Sequence, residues 1–114
     1  MLKGLGSLGD MARMLKKAQE MQARVTEIQE KIAELEAEGE AGAGLVKAVA
    51  SGKGEVKRLS IDESILRPED REAVEDLILA AIRDAQEKAM EAGKAEMAKL
   101  VEGLDLPPDV KLPF

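Results

Sequence analysis

Cysteine, histidine, tryptophan and tyrosine are all missing from the chain, and its one aromatic residue is Phe114. Each gap closes a class of function. Without thiols there is no disulfide and no cysteine nucleophile, without imidazole there is no histidine base, and zinc and copper lose the ligands they favour. Carboxylates remain, but acids such as Glu69, Asp70, Glu72 and Asp76 gathered at a helix start are ordinary partners of the helix dipole. The expectation is therefore no catalytic residue, no metal, no cofactor and no small-molecule substrate: the protein is not an enzyme. The shortage of aromatics also leaves the core to Leu, Ile, Val, Met and Ala, and removes stacking platforms for single-stranded nucleic acid. No apolar run approaches a membrane span, and the opening MLKGLGSLGDMARM has no apolar stretch of signal-peptide length. A soluble, cytoplasmic protein with no membrane partner is expected.

What is present is charge, unevenly placed. The 114 residues carry a net charge of −6, which argues against phosphate binding if spread evenly. It is not: Lys3, Arg13, Lys16 and Lys17 face only Asp10 at the start, whereas Glu34 to Glu40 and Asp62 to Asp76 are acidic. A local basic patch is compatible with that total. The length is that of a single domain over 1–114, with a flexible N-terminus at 1–9 and an extended tail at 104–114. A domain this small, with neither disulfide nor metal, commonly completes its core against a second copy.

From Met11 the apolar residues fall at Met11, Met14, Ala18, Met21, Val25, Ile28, Ile32 and Leu35, alternating by three and four. That is a heptad seam, and it predicts a long coiled-coil helix with Asp10 as N-cap and Gly39 or Gly42 at its end. Met14, Met21, Val25, Ile28, Ile32 and Leu35 form a dimer or core seam, which pairs either within the chain or between two copies. Next, GLVKAVASGKGEVKRLSID reads as a hairpin. Leu59 and Ile61 alternate with polar residues, and Val56, one step out of phase, predicts a bulge near the turn. EAEGEAGAG is a candidate third strand. After Pro68 a second long helix places Val74, Leu77, Ile78, Ala81, Ile82, Ala85 and Ala89 on one side, with Gly93 as a site of bending or close packing. Pro107 and Pro108 then force an extended strap that carries Leu106, Val110, Leu112 and Phe114. The fold class is α+β: a long helix, a hairpin or three-stranded antiparallel sheet, a second long helix and a Pro-rich tail.

The glycines of GEAGAGLVK invite comparison with a phosphate loop. Such a loop needs a strand before it and a helix after it, and here the predicted order is the reverse. They are read as structural. The same stretch carries a family resemblance, together with EDLILAAIRDA, LPPDVKLPF and MARMLKKAQEMQ. These segments, in order over nearly the whole chain, resemble the YbaB/EbfC family of bacterial nucleoid-associated DNA-binding proteins. Asp109 departs from the family's tail, where glycine usually follows the two prolines. The resemblance implies a nucleoid-associated, tweezer-like homodimer whose helices project from a shared β-rich centre, and which binds double-stranded DNA and bends or bridges it.

Candidate DNA contacts follow from the cations. Arg13, Lys16 and Lys17 are the least compensated, with Lys3 as a flexible addition. Arg24 and Lys31 continue the row on the helix, but Glu20 and Glu27 precede them by four residues, the spacing of intrahelical ion pairs. Lys53, Lys57 and Arg58 on the hairpin face only Glu55. Arg83, Lys88, Lys94 and Lys99 alternate with acids, as on a solvated helix face. Backbone contact with little sequence readout is the expected mode. The competing reading is a coiled-coil module that holds protein partners through a methionine-rich seam and has no direct DNA role.

Overall fold

The computed structural model describes the backbone of residues 2–104 and side chains over 8–102. The tail beyond Leu104 and the side chain of Lys3 lie outside the described residues. In chain order there are α1 (Leu2–Glu34), β1 (Glu36–Ala41), β2 (Val46–Ser51), β3 (Val56–Ile61) and α2 (Arg71–Leu104), with 3-10 turns at Glu63–Ile65 and Pro68–Asp70. The architecture is α+β with a three-stranded antiparallel sheet, so EAEGEAGAG does supply a strand.

The boundaries of α1 differ from the sequence reading at both ends. The helix already runs at Leu2, so Asp10 lies inside it and is not its N-cap. It stops at Glu34, ahead of both glycines proposed as its end. The stop comes from outside the helix: the backbone N–H of Gly52, in the β2–β3 turn, donates to the carbonyls of Ile32 and Leu35, each at 3.1 Å. Carbonyls left over at a helix end need such donors. Gly52 can approach because it has no Cβ; one built there would fall on the Ile32 carbonyl and 2.6 Å from its Cγ2.

Gly39, freed from the helix, sits buried in β1 for a packing reason. A Cβ at Gly39 would lie 2.6 Å from the Ala81 carbonyl oxygen and 2.7 Å from the Ala85 Cα. Backbone there meets backbone, and glycine permits the approach. The core answers in kind. Val46, Ala48 and Ala50 alternate along β2, while Ala81, Ala85 and Ala89 recur by one helical turn along α2, and all are buried. Small residues on both surfaces let helix and sheet pack closely without aromatics. The predicted bulge is present, since Val49 pairs with Arg58 but Ala50 pairs with Val56. The other two glycines of GEAGAGLVK serve the β1–β2 turn, where Gly42 and Gly44 take positive φ of 65° and 89° around Ala43 at 55°. No phosphate-loop geometry results, because strands flank the turn on both sides.

The two helices meet near their C-terminal ends and run antiparallel. Ile32 lies beside the buried Gly93, Lys31 pairs with Glu96, and Arg24, Glu27 and Ile28 share a groove with Lys99 and Leu100. This decides where half of the seam goes: Ile32 is buried, and Met21, Val25 and Ile28 are half-buried, within a single chain. Gly93 causes no break in α2, and a Cβ there would meet Ile32 Cγ2 at an ordinary 3.5 Å. Beyond this junction no other described element covers α1, and the molecule measures 83 × 22 × 18 Å.

Candidate nucleic-acid interface

Helical geometry sorts the lone part of α1 into two faces. At 100° per residue, Arg13, Lys16 and Lys17 lie within about one third of the circumference, and Leu8, Met11, Met14, Leu15 and Ala18 lie largely opposite. All eight are exposed. None of the three cations has an ion-pair partner among the described residues, and Arg24, further along the same stripe, has none either. Arg13 and Lys17 are one turn, about 6 Å, apart along the axis. Their charge is carried on a helix that stands clear of the acidic body.

The other candidates are placed differently. Arg58 makes a two-pronged contact with Glu36, at 2.8 and 3.3 Å, reaching across the middle strand on the face away from α2. That contact lowers the Glu36 pKa and raises that of Arg58, the side-chain hydrogen bond being the larger cause in each. Lys57 pairs with Glu55 at 3.2 Å. Lys31 is paired as expected, though with Glu96 on α2 at 3.1 Å and not with Glu27. Lys88 and Lys99 pair with Asp84 and Glu96, while Arg83 and Lys94 have no partner among the described residues. Lys53 is exposed in the β2–β3 turn, without an ion-pair partner among the described residues, next to Gly52 at the level of Ile32. It is thus about 24 Å along α1 from Lys16. The hairpin and arm cations do not form one patch within a chain.

Around the start of α2 some of the acids are paired, while Glu72 and Asp76 have no ion-pair partner among the described residues. Arg67 pairs with Glu69 and Asp70, and Arg71 pairs with Glu75 at 2.9 Å. Asp84 accepts the backbone N–H of Glu40 at 3.0 Å and then the Lys88 ammonium, and both hold its pKa below the usual carboxylate value. Among the described residues no group of three or more acids is disposed to hold a metal ion, and no helix is long and apolar enough to cross a membrane.

The profile of the YbaB/EbfC DNA-binding family matches residues 8–104, which takes in the arm, the sheet and α2. The chain belongs to this family. Its fold is also similar to a crystal structure of the uncharacterized protein HP0035 from Helicobacter pylori, with a TM-score of 0.65 and 25% sequence identity. That match covers 77% of this chain and 92% of the other. In this YbaB/EbfC chain the stripe of Arg13, Lys16 and Lys17 is the candidate contact for phosphate. Sequence reasoning found the arm cations through missing counter-charges nearby. It missed the Arg58–Glu36 and Lys31–Glu96 pairs, which join residues far apart in sequence and left no local signal.

Proposed function

We propose that this YbaB/EbfC chain is a nucleoid-associated protein that binds double-stranded DNA as a homodimer, with little sequence preference, and alters its conformation. The observation that carries the reading is the stripe of Arg13, Lys16 and Lys17, exposed and without ion-pair partners among the described residues, on a helix that projects from an acidic body. Lys3 and Arg24 extend it, and Lys53 is a secondary contact. Lys57 and Arg58 are minor ones, because each must first leave a carboxylate. Two such arms on a dimer would engage separated phosphate tracts, which is the basis for bending or bridging. Support for the dimer comes from β3: Leu59 shares the face of Ala48, and Val56 that of Ala50, yet both are exposed beyond the cover of α2. A second copy packed there would complete the core. Such a protein would act in the cytoplasm, on the nucleoid.

Anisotropy of a labelled random duplex across a salt series tests this directly. Affinity should fall log-linearly with salt, with a slope of about 0.9 for each phosphate contacted. Changing Arg13, Lys16 and Lys17 together to Glu should abolish binding and leave thermal stability within about 0.5 kcal/mol, as for exposed positions. Undiminished binding by that variant would remove the arm from the interface. A monomer by sedimentation equilibrium at micromolar concentration would contradict the dimer. The adaptor reading draws on the uncovered Met11, Met14 and Leu15, and it requires partner capture that persists at high salt with no duplex binding at low salt.

A further inference from the structure

The face of α1 that carries Met11, Met14, Leu15 and Ala18 forms a shallow apolar groove with no partner among the described residues. Met14 is 70% and Leu15 64% exposed. The same seam further along is covered by α2, so the segment of chain after α2 is the natural candidate to cover the rest. Residue numbers on α1 fall as those on α2 rise: Ile32 lies by Gly93, Lys31 by Glu96, and Ile28 with Lys99 and Leu100. Both helices rise about 1.5 Å per residue, so Leu104 comes level with roughly residues 21 to 24 of α1. Cover ends at that level, for Met21 is half-buried and Ala18 exposed.

The residues after Leu104 are DLPPDVKLPF. Pro107 and Pro108 exclude a continued helix, and apolar side chains return at Leu106, Val110, Leu112 and Phe114. Extended at about 3.1 Å per residue, ten residues reach about 30 Å. The stripe from Ala18 to Leu8 is only about 15 Å long.

We propose that residues 105–114 continue the path of α2 and dock on the Leu8–Ala18 face of α1 in the same chain, bringing Val110 beside Met11. The tether favours this occupant over the arm of a second copy, because linkage presents the tail at an effective concentration of the order of millimolar. The cationic stripe lies on the other side of the helix and stays open. One arm thus carries a strap on its apolar face and phosphate contacts on its basic face.

The absence of native cysteine makes the test clean. In a Met11→Cys, Val110→Cys variant of the full chain the two introduced thiols have no competitors, and a disulfide requires their Cα atoms to come within about 7 Å. Docking predicts a disulfide closed within one chain, forming about tenfold faster than in a Lys16→Cys, Val110→Cys reference, whose tether is of similar length but whose first thiol is on the opposite face. Equal rates in the two variants, a bridge between chains, or no bridge would each overturn the proposal. Peroxide oxidation read by mass spectrometry probes the unsubstituted protein. Met11 and Met14 should oxidise several-fold more slowly than Met90, which is 58% exposed on α2, and truncation after Leu104 should bring the three rates together. Equal rates in the full chain would equally dismiss the strap.

Discussion

The two halves of α1 share one heptad pattern and meet different surroundings. Over Met21 to Ile32 the seam is covered by α2, Lys31 is held by Glu96, and the backbone end is closed by Gly52. Over Leu8 to Ala18 the same spacing leads to exposed side chains, and the nearby cations lack ion-pair partners among the described residues. A period of 3.5 states that a face seeks a partner, without stating which one. The consequence is structural: where α2 supplies both apolar cover and carboxylates, α1 is held, and where it does not, its apolar and cationic side chains stay exposed among the described residues.

The sharpest way to break this contrast is to cut equivalent seam positions on either side of the junction. Ile32→Ala should cost about 3 kcal/mol, since it empties a buried site between α2 and the β2–β3 turn. Met14→Ala should leave global stability within about 0.5 kcal/mol, because the arm opens locally. Urea titrations of the two variants measure both numbers, and similar losses would mean that the halves are one cooperative unit.

Glycines sharpen the same line at smaller amplitude. Gly52→Ala places a methyl group on the Ile32 carbonyl and 3.0 Å from its carbon, and strain of this kind costs about 2 kcal/mol. Among the described residues Gly9 has nothing within 4 Å of a Cβ position. Gly9→Ala should therefore raise the helicity of the arm, by about 1 kcal/mol of local propensity. Amide hydrogen exchange around residue 9 would report that gain, and faster exchange there would show that the arm is packed in a way its exposure does not reveal.

Much of this organisation is legible in the sequence. Heptad spacing locates α1, alternation locates β3, and the out-of-phase Val56 locates the bulge, because each is a local consequence of side-chain period. The start of α1 is not legible, since Asp10 is a good cap residue that the helix simply runs through. Its end is not, because the terminating donor, Gly52, comes from a turn that only the folded sheet brings to Ile32. Gly39 reads as a helix stop for the same reason: its need for glycine arises from α2, more than forty residues away in sequence. On the candidate interface, cations without nearby acids can be found by inspection. Which hairpin cations are taken up by Glu36 and Glu55 depends on strand order and side-chain reach.

The smallest effect bears on how firmly the scaffold half is held. Glu96 accepts from Lys31 at 3.1 Å and from Lys99 at 3.3 Å, and the Lys31 hydrogen bond is the largest of the influences that hold its pKa below the ordinary 4.5. A carboxyl group with a depressed folded-state pKa contributes stability that is full above its unfolded pKa and is lost as pH falls through the folded one. The stability of the wild-type chain should thus exceed that of Glu96→Gln at neutral pH, and the two should converge only below the usual glutamate range. Lys31→Gln should reproduce most of the difference, as it removes the larger of the two lysine partners. Urea midpoints for the three proteins, followed from neutral pH into acid, give the comparison. Parallel curves would show that the pair does not fasten α1 to α2, leaving Ile32 and the Gly52 donor to hold that junction.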